Sequence, residues 1–220
     1  MRFTTSKFKQ LILGSLFWTL LSSANAETLL NSGFEISSGS NPGGAANWYG
    51  YTWAADSSSN ISSSRSLLAD AGTGSYGFLL RPDSVSGNHS AAWVVSDSHT
   101  LPGGLLTLSF NFKNISATAP NTWSDYKISF FDSSYAEVAG SAITGSTGYS
   151  WGSWGTKVQS NIAAPSQASF VAVTLSAYAS GGGGGDAQWA FDNVSLVPEP
   201  SAASLLVCGA IALVALRRRR

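Results

Sequence analysis

Between residues 106 and 113, Leu106, Leu108, Phe110 and Phe112 alternate with Thr107, Ser109, Asn111 and Lys113. Side chains of a strand point to opposite faces in turn, so this period of two predicts a strand with one buried and one wet face. From residue 27 to 197 the spacing of an amphipathic helix never takes hold, and short apolar runs are separated by Gly, Ser, Asn, Asp and Pro. Residues 76–80, 92–95, 126–131 and 170–178 read as further strands, closed by turn residues such as Pro82-Asp83 and Asp132-Ser133-Ser134. Half-apolar strands with no helices to cover them must bury their faces against one another. The expected fold is therefore all-β, a jelly-roll β-sandwich of roughly eight to ten strands. The run of five glycines from Gly181 to Gly185 reads as a hairpin loop between two of them.

The two ends have a different character. Arg2, Lys7 and Lys9 precede an apolar stretch over 11–21, followed by Ala24-Asn25-Ala26. A basic start, a short apolar run and a small-x-small site form a secretory signal peptide, with cleavage expected after Ala26. At the other end Pro198-Glu199-Pro200 leads into the apolar segment 201–216 and then Arg217, Arg218, Arg219 and Arg220. The prolines keep the chain extended ahead of the segment. Sixteen residues of helix at about 1.5 Å each reach about 24 Å, nearly the hydrocarbon thickness of a membrane. The arginines hold its end on the cytoplasmic side. The domain map is then 1–26 signal peptide, 27–197 β-sandwich and 198–220 tail with a transmembrane helix.

This order of Pro-Glu-Pro, short helix and terminal arginines resembles the PEP-CTERM sorting signal. The resemblance implies an exosortase as partner and processing near Pro198-Glu199-Pro200. It also implies an inner-membrane-anchored precursor that is delivered to the cell surface or the extracellular matrix of a polysaccharide-making bacterium.

Within 27–197 five cations (Arg65, Arg81, Lys113, Lys127, Lys157) stand against eleven acids, a net charge of −6. Nucleic acid is excluded as a partner, because phosphate binding needs clustered Lys and Arg. The single cysteine, Cys208, lies in the terminal apolar segment, so the domain has no disulfide and no thiolate chemistry.

Leu30-Asn31-Ser32-Gly33-Phe34-Glu35, Gly74-Ser75-Tyr76-Gly77-Phe78-Leu79-Leu80 and Trp189-Ala190-Phe191-Asp192-Asn193-Val194-Ser195-Leu196 occur in the order found in carbohydrate-binding-module-like, galactose-binding-like jelly rolls, which the domain resembles. The resemblance implies first and last strands side by side and a structural calcium held at Glu35 and Asp192, both hard oxygen ligands. Asn193 stands where many relatives carry a second acid. The domain holds seven tryptophans. Tyr49, Tyr51 and Trp53 fall on one face of a single strand, where they form stacking platforms for sugar rings, and Trp151 with Trp154 forms a second such group. The same aromatics also suit a sandwich core.

Chemistry for catalysis is thin. Gly148-Tyr149-Ser150-Trp151-Gly152 matches a nucleophile elbow, but no helix is expected after Ser150. Gly72-Thr73-Gly74-Ser75-Tyr76-Gly77 matches a dinucleotide fingerprint, yet a strand follows it where a helix is needed. His89 and His99 read as surface-loop residues. The expected function is that of a noncatalytic surface or matrix protein associated with extracellular polysaccharide. The alternatives are a secreted hydrolase acting on polysaccharide or ester, or a structural module without ligand.

Overall fold

The structure, a computed structural model, describes residues 29–38, 44–54, 61–68, 74–82, 89–101, 103–115, 122–180 and 187–199. The expected signal peptide with Ala24 and Ala26, the glycine run, Pro200 and Arg217 to Arg220 lie outside these residues. Among the described residues no helix is long and apolar enough to cross a membrane.

Eleven strands are present among the described residues: β1 (Trp48–Ala54), β2 (Ser62–Leu67), β3 (Tyr76–Arg81), β4 (His89–Ser96), β5 (His99–Thr100), β6 (Leu105–Asn114), β7 (Thr122–Phe131), β8 (Ile143–Ser146), β9 (Gly155–Ala163), β10 (Phe170–Ser180) and β11 (Trp189–Pro198). They form two antiparallel sheets. Sheet A has the order β1-β4-β10-β7-β8, with β5 also pairing β10, and sheet B the order β2-β3-β11-β6-β9. The chain crosses between sheets repeatedly, as in a jelly roll.

The alternation in β6 is realised as read: Leu106, Leu108, Phe110 and Phe112 face inward and are buried. From sheet A they meet Tyr126, Ile128, Phe130, Val171, Val173 and Leu175. The ring of Phe110 lies 5.7 Å from Tyr126 and 6.1 Å from Phe191. Phe34 adds a second focus, its ring 5.0 Å from Trp48 and 5.3 Å from Phe78. Phe34 has φ of +57°, which costs about 1–2 kcal/mol for a side chain of this kind. Full burial of a phenylalanine contributes about 1.5–3 kcal/mol, and each ring pair about 0.5–1.5 kcal/mol more. Packing therefore outweighs the strained backbone.

Two strands escape the sequence reading, and two of its expectations need correction. β2 (Ser-Ser-Ser-Arg-Ser-Leu) escapes a periodicity search because it is an edge strand of small polar residues, recruited by register with β3. β9 hides by inversion: its one large apolar side chain in the middle, Val158, is exposed, while Gln159 faces inward to accept the Tyr126 hydroxyl at 3.0 Å. β10 lies in sheet A and β11 in sheet B, so these two strands do not form the hairpin expected around the glycine run, which itself lies outside the described residues. His89 opens β4 and His99 lies in β5, where burial lowers its pKa, so neither is a loop residue.

The opening segment is likewise a turn and not a strand. Asn31 organises it with its side chain, donating to the carbonyls of Ile36 and Ala46 and accepting the Ile36 amide, all at 2.9 Å. It touches the last strand through the Val194 amide, which donates to the Ser32 carbonyl at 3.0 Å.

Candidate functional site

Because Tyr126, Ile128 and Phe130 point into the core, the odd-numbered residues of β7 point outward, and register carries that parity across sheet A. Three rows result on its outer face. Trp53, Ala91, Tyr178 and Trp123 lie side by side on β1, β4, β10 and β7, and the next row is Tyr51, Trp93, Ser176 and Asp125. The third is Tyr49, Val95, Thr174 and Lys127.

Tyr49, Tyr51 and Trp53 are exposed at 52%, 49% and 52%. Such exposure of three consecutive outward rings is unusual in a sandwich that elsewhere buries its aromatics. Tyr51 stacks on Trp93 at 5.9 Å and 21°, and Trp123 on Tyr178 at 5.3 Å and 14°. Between these pairs the floor is made by the short side chains of Ala91 and Ser176, both buried. The result is a trough with aromatic walls. Trp53 and Tyr178 flank Ala91 from strands two spacings apart, about 9.5 Å, and Trp93 and Asp125 flank Ser176 in the same way.

Polar groups stand at the margins. Burial raises the pKa of Asp125. Lys127 pairs with Glu137 at 2.8 Å, and this contact lowers the Glu137 pKa, helped by the Ser129 hydroxyl at 3.2 Å. The Asp97 carboxylate accepts from Tyr49 and raises the tyrosine pKa, and it also accepts the Asn47 amide at 3.1 Å.

Trp93, Trp123, Tyr178 and Asp125 are the members of this face that the sequence reading did not single out. Parity within each strand was the available signal, since Trp123 and Asp125 are out of phase with the core residues of β7. Their meeting with β1 depends on strand order, which parity does not encode.

Trp151 and Trp154 are not brought together with these aromatics. Trp151 is exposed beside Asn114, to which it bridges. Trp154 lines a cavity of about 310 Å³ on the outer face of sheet B, with Leu79, Lys113, Gln188 and Ala190.

Glu35, in the opening turn, docks at the start of β3, and Asp192 lies on the neighbouring β11. One Glu35 oxygen accepts the amides of Ser75 and Tyr76, both at 3.0 Å, and a side chain at Gly74 would collide with it. Asp192 lies on β11, which pairs with β3, and is wholly buried, with one oxygen accepting the Asn193 amide at 2.7 Å. A buried carboxylate requires hydrogen bonds or a cation around it. The donors suit calcium in type, although two carboxylates fall short of the about six to eight oxygens it takes. Arg65 binds the adjacent carbonyls of Phe34 and Glu35 at 2.5 and 2.6 Å, with its guanidinium 3.3 Å from the Tyr76 ring centre. Among the described residues no group of three His, Cys, Asp or Glu side chains gathers.

The Ser150 hydroxyl is committed to the Ser153 carbonyl at 2.9 Å, and the chain runs on into β9 instead of a helix. Gly74, with φ of +67°, turns the chain into β3, so the glycine-rich match precedes a strand.

No family model matches the sequence, and no curated protein matches it. Solved structures do share the fold. A family 61 carbohydrate-binding module, TmCBM61, solved with β-1,4-galactotriose, superposes with a TM-score of 0.50 at 16% identity, over 80% of this chain and all of the other. A carbohydrate-binding module of the β-sandwich superfamily reaches 0.54 at 13% identity, over 80% of this chain and 63% of that one. The enzymatically active domain of tailspike protein 4 of bacteriophage CBA120 reaches 0.53 at 16% identity, but this chain spans only 21% of its length. At such identities the likeness shows the fold alone: the chain has the β-sandwich found in carbohydrate-binding modules.

Proposed function

We propose that this is a noncatalytic carbohydrate-binding protein that holds a polysaccharide strand in the aromatic trough of sheet A. The observation that carries the reading is the register that sets Trp53 and Tyr178 astride Ala91, and Trp93 and Asp125 astride Ser176. Aromatic faces match the apolar faces of sugar rings, while Asp125 accepts hydroxyls beside them. The similar fold of TmCBM61, whose structure contains β-1,4-galactotriose, supports the reading. Asp97, Asp125 and the acidic balance of the domain favour a neutral polymer over a uronic one. Retention on immobilised neutral polysaccharide tests it. Trp93→Ala should weaken binding about ten-fold, the loss of one stacking contact, whereas Trp154→Ala should leave it unchanged; equal effects from the two would remove the trough as the site.

The chain is further read as exported by its signal peptide, anchored by its C-terminal helix and sorted by an exosortase acting at the Pro198-Glu199-Pro200 segment. That order of motif, apolar segment and Arg217 to Arg220 supports it. Calcium at Glu35 and Asp192 is proposed as a structural ion that ties β3 to β11, and the complete burial of Asp192 supports it. Calcium should raise the melting temperature, and Asp192→Asn should lose the gain. A wild-type melt indifferent to EDTA would remove the ion from the account.

A further inference from the structure

The Pro198-Glu199-Pro200 segment does not begin where the folded domain stops. Strand β11 continues to Pro198, with Val197 opposite Thr107 and Pro198 opposite Leu106 of β6. Glu199 then docks through its amide and one carboxylate oxygen. Its amide donates to the Leu105 carbonyl at 2.7 Å, and its Oε1 accepts the Thr107 hydroxyl at 2.8 Å and the Asn161 amide at 2.6 Å.

The Asn161 amide is available for a structural reason. Between Leu106 and Leu108 the β6–β9 ladder slips, so that Thr107 stands against two residues of β9, Ser160 and Asn161. Asn161 adopts φ of +57°. A bulge of this kind leaves an amide outside the ladder, and here Glu199 takes it.

An enzyme that cleaves or reads an extended segment needs its main chain and side chains free to pair within a cleft. In the folded domain those groups of Glu199 are held by β6 and β9. The geometry also limits any compromise. Only Pro200 separates Glu199 from the apolar segment 201–216, so the sheet and a membrane enzyme would contend for the same few residues.

Resting on the sorting reading above, we propose that docking of Glu199 on sheet B withholds the segment from its processing enzyme, so that the tail is removed only when the end of β11 peels away. Strand ends open with far less free energy than the whole domain, so the device sets a rate and does not block processing.

The test uses the full chain in membrane vesicles that contain the processing enzyme, with Thr107→Val, which keeps the shape and removes the hydroxyl, and Thr107→Ser, which keeps the hydroxyl. Amide exchange is read at Glu199 in the same preparations. The wild type and Thr107→Ser should show a protected Glu199 amide and slow tail removal, and Thr107→Val faster exchange and about five-fold faster removal. A Glu199 amide that exchanges as in a free peptide overturns the docking. Equal removal rates in all three chains overturn the gating alone. A tail that is never removed from any of them defeats the sorting reading and the gating with it.

Discussion

The two sheets of this sandwich solve the same problem on their inner faces and opposite problems on their outer ones. Inside, Leu106, Leu108 and Phe110 of sheet B meet Tyr126, Ile128 and Phe130 of sheet A by plain alternation. Outside, sheet A carries Trp53, Trp93, Trp123 and Tyr178 around a floor of Ala91 and Ser176, while β2, β6 and β9 of sheet B turn Ser64, Ser109, Asn111 and Thr156 outward. Inner faces decide whether the chain folds, and outer faces decide what it touches. An exposed aromatic has no folding reason to be there, whereas an exposed serine needs none.

The comparison is broken most directly by filling the trough. Ser176→Trp should abolish retention on polysaccharide while the protein stays folded, and Ser109→Trp, on the outer face of sheet B, should leave retention as it is. Circular dichroism alongside the binding assay separates loss of the site from loss of the fold. If the two substitutions behave alike, the faces are not specialised.

A smaller effect sharpens the electrostatics. Burial raises the Asp125 pKa in the folded state. The stability tied to that carboxyl is therefore fully present below its unfolded value, about pH 4, and is lost as pH rises through the folded value. Asp125→Asn should melt higher than wild type at neutral pH, with the difference closing near pH 3, and should bind sugar less well. Melting curves across pH that show no closing difference would contradict the assignment.

The smallest effect belongs to the rim. Hydrogen bonding to Lys127 depresses the Glu137 pKa, so that its contribution is present above the unfolded value and lost as pH falls. Both side chains are about two-fifths exposed, at 40% and 43%, and such pairs contribute about 0.2–1 kcal/mol at most. Glu137→Gln should shift the melting temperature by no more than about 3 °C and leave retention on polysaccharide unchanged.

Much of the fold was legible because its inner faces obey a period of two. Strands β3, β4, β6, β7 and β10 all lie where alternation or a short apolar run placed them, and β11 lies where the resemblance set the last strand. What escaped did so for definite reasons. β2 is serine-rich and has no apolar phase to read, and β9 exposes Val158 while turning Gln159 inward. The aromatic row Tyr49, Tyr51 and Trp53 was readable as one face of one strand. Its partners were not, because Trp93, Trp123 and Tyr178 come from strands separated along the chain by tens of residues. The reading also grouped Trp151 with Trp154 by proximity in sequence, while the turn at Gly152, with φ of +68°, sends them to different surroundings.

Local order along the chain determined that this protein has an all-β domain, since side-chain periodicity and composition are properties of neighbours in sequence. Tertiary structure alone decided that β1 lies beside β4, that β4 lies beside β10, and hence that separate aromatics share one trough. It also decided that Glu199 belongs to the folded sheet through Thr107 and Asn161. Strand order is chosen by the burial of whole faces against one another, a sum over the entire core, and no single stretch of sequence contains it.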